Sequence, residues 1–402
     1  MVKSVLIGTF SVWKNRKRTA INGMIEPLLS FFSLQTVDLI DGPHPGSEKI
    51  VTTFEHYQNE KLEKKRISII SLLMYPFLKN IRNNSTQLSF KLRDFLSAFE
   101  FVLRSPKKYD LFIGLESIFT LSGIFLKQLG FIKIVVYYVS DYSPQRYSNL
   151  LLNNIYLALD RFCCYHADYI WDVSPAMHPA RIKAGLDPKK SVPVILVPNA
   201  LFPSQISIIP KNKLLPDSLV YAGTLGSENG IEVAIEALPI ILQKFPKASL
   251  HIIGGDAELE PDLKQLVKEN NIEKNVVFHG FVPAAQGVTK AIQKYMVGLA
   301  PYRAFPGSAR WYADATKIRL YMGAGIPVIS SQVPPLGKVV QEKGAAIIAL
   351  DNKEDLASAV IKILSDKKLY EKMRDRAIAF AKDNTWNNVY RGALKQMQLK
   401  TG

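Results

Sequence analysis

Along the second half of the chain, short runs of β-branched and apolar residues alternate with longer segments whose apolar positions recur every three or four residues. The pattern predicts strands at Leu219–Ala222, Ser249–Ile253, Val276–His279, Val297–Ala300, Pro327–Ser330 and Ala345–Ala349. Between them it predicts helices at Gly230–Phe245, Pro261–Asn270, Thr289–Tyr295 and Thr316–Met322, one after Pro334-Pro335, and one at Lys353–Ser365. Strands alternating with helices of this length specify a parallel, doubly wound sheet.

The first half follows the same plan less regularly. Strands are expected at Ser4–Ile7, Thr36–Ile40, Leu111–Ile113, Ile134–Val139, Tyr169–Val173 and Pro193–Val197, with a long helical insertion over about Asn59–Arg104. Leu201–Leu215 holds two prolines, Pro203 and Pro210, and no clear period, as a linker would. The expected fold class is therefore α/β, with two Rossmann-like doubly wound parallel-sheet domains facing across a cleft. The expected divisions are a first domain over 1–203, a linker over 204–217, a second domain over 218–375 and terminal helices over 376–402 that cross back to the first domain. Ligands of such sheets bind at the carboxyl ends of the strands.

Composition narrows the classes. With 402 residues, 48% hydrophobic and 21% charged, the chain can bury two cores and is neither disordered nor fibrous. No uncharged apolar run approaches the roughly 18–20 residues needed to cross a bilayer. Ile67–Leu78 is too short and Phe112–Leu126 contains Glu116. Met1–Gly8 reads as a first strand entering a glycine turn rather than as a signal peptide, so a cytoplasmic protein, soluble or peripheral on the cytoplasmic membrane face, is expected. Cys163 and Cys164 are adjacent and lack a third partner, which excludes a disulfide framework and a zinc site. The net charge of +16 divides into +9 for residues 1–200 and +7 for residues 201–402, so no basic tail for nucleic acid exists. The densest clusters, Lys14–Arg18 and Lys61–Arg66, lie in the first domain beside the amphipathic Ile67–Leu78. They are either a solvated face or a dock for an anionic membrane surface.

Candidate chemistry concentrates in the second domain. A buried strand ends at Pro301, and a loop carrying Arg303, Ser308 and Arg310 leads to a helix that opens near Asp314-Ala-Thr-Lys317. A helix start offers free N–H groups and a positive dipole end to an anion, and Thr316 and Lys317 add a hydroxyl and an ammonium. Tyr221-Ala-Gly-Thr-Leu-Gly-Ser227 is a strand opening into a glycine loop, and Gly254-Gly255 follows the next strand in the same way. One such turn is more often just a tight turn. Two in one sheet, beside Thr316-Lys317, argue for a nucleoside diphosphate.

Residues 218–330 resemble the donor half of retaining glycosyltransferases with the GT-B fold, family 4 (glycosyl transferases group 1). The matching pieces are Tyr221-Ala-Gly-Thr-Leu, Ile252-Ile-Gly-Gly, Val277-Phe-His-Gly-Phe-Val, Val297-Gly-Leu-Ala-Pro-Tyr and Lys317-Ile-Arg-Leu-Tyr-Met-Gly-Ala-Gly-Ile-Pro-Val-Ile. Ala167-Asp-Tyr-Ile-Trp-Asp-Val-Ser174, Val197-Pro-Asn-Ala200 and Trp386 with the last helix resemble further parts of that family. The resemblance implies a hexosyltransferase moving a sugar from a nucleoside diphosphate donor to a surface or lipid-linked glycan, with retention and with neither metal nor cofactor. The base would lie near Gly280, Phe281 and Val282, and the diphosphate near Gly223, Thr224, Thr316 and Lys317. Lys317 and the helix start would stabilise the leaving group.

Departures from the family pattern define the questions. Its usual Arg falls on Thr224 and its usual Lys on Asn229, while its carboxylate pair falls near Tyr312 and Leu320. Arg303, Arg310 or Asp314 would have to compensate. In the first domain Asp141 follows a buried strand, where it is either a turn cap or a group that orients the sugar or accepts the acceptor proton. Glu116 is the weaker candidate, and Gly8-Thr9 would approach the donor or form a plain turn. His251, His279, His166 and His178 read as packed or turn-bonded residues without metal-ligand spacing. A catalytically silent GT-B protein that partners an active transferase stays open as the alternative.

Overall fold

The computed structural model describes residues 2–14, 17–18, 24–81, 88–104, 107–256, 258–282 and 285–400; Asn15 and Arg16 of the first basic cluster lie outside them. The chain divides into two units, residues 1–197 with 390–402, and residues 198–389.

In the first unit, β1 (Ser4–Thr9), β4 (Thr36–Asp41), β7 (Tyr109–Leu115), β8 (Ile132–Val139), β9 (Tyr169–Asp172) and β10 (Val194–Leu196) run parallel. A two-residue hairpin, β2 (Trp13–Lys14) and β3 (Lys17–Arg18), leaves the end of β1. The large sheet is completed by β5 (Thr53–Gln58) and β6 (Lys61–Ile67), both antiparallel, in the order β10-β9-β8-β7-β1-β4-β5-β6. This corrects the expected helical insertion. Residues 61–67 form an edge strand, and helix begins only with α2 (Ile69–Ile81) and α3 (Leu88–Arg104). The remaining helices are α1 (Ile25–Phe31), α4 (Glu116–Gln128), α5 (Leu150–His166) and α6 (Met177–Lys183). Central strands such as Tyr109-Asp-Leu-Phe-Ile-Gly-Leu115 are buried on both faces, which is why they read as continuous apolar runs.

A buried ion cluster clamps β8, α5, β9 and α6. Arg181 donates from Nε to both oxygens of Asp160 (3.1 and 2.9 Å) and from Nη1 to both of Asp172 (2.9 and 2.7 Å). Tyr137 donates its hydroxyl to Asp160 at 2.7 Å.

In the second unit, β11 (Ser218–Ala222), β12 (Ser249–Ile253), β13 (Val276–Phe278), β14 (Val297–Ala300), β15 (Val328–Ser330) and β16 (Ala346–Ile348) form a wholly parallel sheet, ordered β13-β12-β11-β14-β15-β16. Helices α7 (Ile231–Lys244), α8 (Glu260–Glu269), α9 (Ala285–Ile292), α10 (Thr316–Gly323), α11 (Leu336–Glu342), α12 (Lys353–Ser365) and α13 (Lys367–Asp383) cover both faces. Successive side chains of β11 enter different cores: Leu219 and Tyr221 pack in one, Val220 and Ala222 in the other. The division falls after Val197 rather than within 204–217. Residues of that stretch pack on the second unit, with Ser207 N–H donating to Gly323 and Leu215 N–H to Lys294. The last helix, α14 (Trp386–Gln396), passes from one unit to the other, and Tyr390 stacks on Trp171 in the first.

Both parallel sheets reverse their strand order at one place, at β1/β7 in the first unit and at β11/β14 in the second. The loops leaving those strands diverge and open a crevice. Arg181→Met would leave Asp160 and Asp172 buried without a counter-ion, so a loss of about 3–5 kcal/mol is expected in urea denaturation. A loss below about 1 kcal/mol would show that the cluster does not hold this unit together.

Candidate functional site

The crevice of the second unit is built by two tight glycine turns and one short helix. After β11, Gly223 takes φ +144 and its N–H donates to Ile253 carbonyl. A Cβ on Gly254 would sit 1.9 Å from the Gly223 carbonyl oxygen, so the loops after β11 and β12 touch backbone to backbone. Tyr221 OH donates to Thr224 carbonyl (2.5 Å) and Asn229 Nδ2 to Thr224 Oγ1 (2.9 Å), which fixes the loop. Gly230, at φ +68, starts α7 with its Cα against Pro301 carbonyl, where a Cβ would lie at 1.8 Å. Beneath these loops the buried Tyr321 hydroxyl accepts from Ala222 N–H (2.8 Å) and lies 3.0 Å from Leu299 carbonyl, tying β11 to β14.

Helix α10 opens toward this crevice with Ala315 as its first cap, which supplies no side-chain partner to the leading N–H groups. Thr316 is exposed, but the Lys317 ammonium is withdrawn from solvent. The residue is 8% exposed, with Nζ 3.7 Å from the Tyr221 ring centroid and 4.9 Å from that of Tyr302. Among the described residues Nζ has no hydrogen-bond partner. Its side chain packs against Gly223, where a Cβ would stand 2.8 Å from Cε. Burial and the nearby Arg310 guanidinium push its pKa well below the ordinary lysine value.

The other expected donor residues separate into two groups. Arg310 lies over Tyr302 (5.5 Å) and is only loosely matched to Glu228 at 3.7 Å, so its charge remains available. Arg303 is half-exposed and 3.5 Å from Asp351. Gly280, at φ +70, and Phe281, 73% exposed, follow β13, with the Gly280 carbonyl accepting from Gly254 N–H. Asp314 is engaged inside the fold: it binds Arg319 through both oxygens (3.1 and 3.0 Å) and accepts from Asn199 N–H (2.7 Å). It therefore positions the entry to α10 and has little left for a ligand. Tyr312 and Leu320 stand where carboxylates were expected, and neither can bind a ribose as a carboxylate would. Tyr221 and Tyr302, which wall in Lys317, were not singled out from sequence; their only signal was an aromatic residue at or just past each of two strand ends.

The first unit has its own crevice at β1/β7. Gly8 lies within β1 against Phe119 of α4, where a Cβ would stand 2.6 Å from the ring, so close helix packing accounts for the glycine. Glu116 follows β7 directly with φ +63, a left-handed conformation costly for this residue. Its buried carboxylate accepts from Ser140 N–H (3.2 Å) and Oγ (2.7 Å), and burial raises its pKa. Asp141 is exposed and held by Arg146, whose Nη1 donates to the Asp141 carboxylate (3.1 Å) and carbonyl (2.9 Å). His251 and His279 hydrogen-bond each other (3.0 Å) and lie against Tyr295. Among the described residues no group of three His, Cys, Asp or Glu is placed to hold a metal ion.

Residues 216–366 match the family model of Glycosyl transferases group 1. No curated protein sequence matches the chain. Its fold is that of GT-B glycosyltransferases. It resembles HepE from Anabaena in complex with UDP (14% identity over 98% of this chain and 99% of that one, TM-score 0.66). It also resembles sucrose-phosphate synthase from Thermosynechococcus elongatus (16% identity, 98% and 99% covered, TM-score 0.68). A third similar structure is the lipopolysaccharide outer core galactosyltransferase WaaB without ligand (14% identity, 98% and 99% covered, TM-score 0.63).

The buried amine has a stability signature. Between its depressed folded pKa and the ordinary value of 10.5, the unfolded chain binds more protons than the folded one, so stability rises with pH across that window. Lys317→Met should therefore melt above the wild type near neutral pH, with the gap narrowing as pH approaches 10.5. A gap independent of pH in scanning calorimetry would contradict a desolvated ammonium.

Proposed function

We propose that the chain is a retaining, metal-independent glycosyltransferase of family 4, moving a hexosyl unit from a nucleoside diphosphate donor to a glycan or lipid-linked acceptor. The observation that carries this reading is the Lys317 ammonium, buried, unpaired and close to a second cation at the switch point of a parallel sheet. A buried ammonium that no carboxylate meets suits a ligand that brings the negative charge. The glycine turns at Gly223 and Gly254 admit a diphosphate close to the backbone, and the first N–H groups of α10 are open to it. Phe281 offers an exposed ring on which a base can stack. The group 1 match over 216–366 and the UDP bound by the Anabaena protein support the same ligand class.

The chemistry follows from that placement. The bond from the anomeric carbon to the diphosphate oxygen breaks, and its electron pair leaves with the diphosphate. The α10 N–H groups, Lys317 and Arg310 stabilise the charge as it develops, in a setting that already excludes water from Nζ. The acceptor oxygen bonds to the anomeric carbon on the face the diphosphate leaves, which retains configuration. Its proton passes to the departing diphosphate oxygen on that same face, which balances the transfer. A metal is dispensable in this scheme because fixed cations supply what a divalent ion would.

Titration calorimetry with UDP-, GDP- and dTDP-sugars tests the reading. One nucleotide should bind, with affinity about ten- to a hundredfold weaker in Lys317→Met and less reduced in Arg310→Ala. Unchanged affinity in both variants would refute the site. The absent carboxylates at Tyr312 and Leu320 favour one second reading, a silent partner of an active transferase. Binding without donor hydrolysis, even with lipid-linked acceptors, would establish it.

A further inference from the structure

Helix α2 has its polarity inverted. Its inward positions are polar or sealed: Ser71 Oγ accepts from Thr52 N–H (2.8 Å), and Leu78 is fully buried with Met74, Ile50 and Phe90. Its N-terminus is capped from α3, where Glu100 accepts from Ile69 N–H (2.8 Å), Ile70 N–H (3.1 Å) and the buried Ser68 hydroxyl (2.5 Å). The outward positions are apolar. Ile69 (49%), Leu72 (50%), Leu73 (72%) and Phe77 (69%) are exposed, together with Pro76. Positions 69, 72, 73, 76 and 77 fall on one face of a helix, so these side chains form a continuous stripe toward solvent.

Basic groups flank this stripe along the chain. Lys79 lies at its flank, and α2 contains no acidic residue. The strand that leads into the helix, β6, is exposed along all seven residues and carries Lys61, Lys64, Lys65 and Arg66 against the single Glu63. Lys65 is engaged by Glu55; Lys61, Lys64 and Lys79 have no ion-pair partner among the described residues. No described helix is long and apolar enough to cross a membrane, so the stripe belongs to a helix that can lie in an interface but not span it.

We infer that α2 and β6 form a membrane dock: the Ile69–Phe77 stripe enters the headgroup region of an anionic bilayer while Lys61, Lys64 and Lys79 meet its phosphates. Charge selects this occupant. A second copy of the chain, paired through the same face, would set these cations against their equivalents across the symmetry axis, whereas an anionic lipid surface complements them. Lysine stems are also suited to follow apolar surface and keep the ammonium at headgroup level. The inference stands apart from the proposed sugar transfer and needs no nucleotide to test.

The test is co-sedimentation of the full chain with vesicles of phosphatidylcholine alone or mixed with phosphatidylglycerol. The chain should bind the anionic vesicles, and added salt should release it. Leu73→Glu with Phe77→Glu should weaken binding by more than about tenfold, through loss of the inserted apolar surface. Lys61→Ala with Lys64→Ala and Lys79→Ala should weaken it by about a hundredfold at low salt. All five side chains are exposed, and unchanged circular dichroism would confirm intact folding. Equal affinity for neutral vesicles, no binding, or unaltered binding by both variants would overturn the dock. So would self-association without lipid that Leu73→Glu/Phe77→Glu abolishes, which would identify a second copy as the occupant.

Discussion

The second unit is organised around one unsatisfied charge. Lys317 places an ammonium between the rings of Tyr221 and Tyr302, out of water and without a carboxylate. Burying such a group costs folding free energy, and cation–π contact recovers only part of that cost. Its neighbours serve to hold it there. Tyr221 is pinned through Thr224, Gly223 admits the lysine stem, and the Asp314–Arg319 pair fixes where α10 begins. Under the proposed sugar transfer the donor's anion would relieve this strained electrostatic state and turn a stability defect into binding energy.

That arrangement explains why the missing family residues need not empty the site. With Thr224 and Asn229 in place of two cations, the loop after β11 becomes a hydrogen-bonded turn without a cation of its own. Positive charge is supplied instead from the far side, by Lys317 and Arg310 above Tyr302. The absent carboxylates have no such replacement, because Asp314 is committed to Arg319 and Asn199.

Much of the architecture was legible in the sequence. Val297–Ala300 and Lys353–Ser365 fall where the pattern put them, because a strand buried on both faces and a helix buried on one leave unambiguous periodicities. Lys61–Ile67 misled because its charged residues favour helix as readily as an exposed edge, and pairing with β5 decided the outcome. The glycine turns and Lys317 were visible as a constellation. The burial of Lys317 was not, since its walls come from residues 81 positions apart that only the sheet brings together. Nor could sequence show which face of α2 points outward: the apolar period was plain, but the serines that anchor the other face are revealed only by their partners in α3 and at Thr52.

The most direct measurement of the central claim is the ionisation of Lys317 itself, followed by the carbon resonance at Cε in selectively labelled protein, with and without a nucleoside diphosphate. The account predicts a pKa well below the ordinary lysine value in the free protein and a marked rise toward that value when the diphosphate is bound. An ordinary pKa in the free protein, or a depressed one that the nucleotide leaves unmoved, would contradict it.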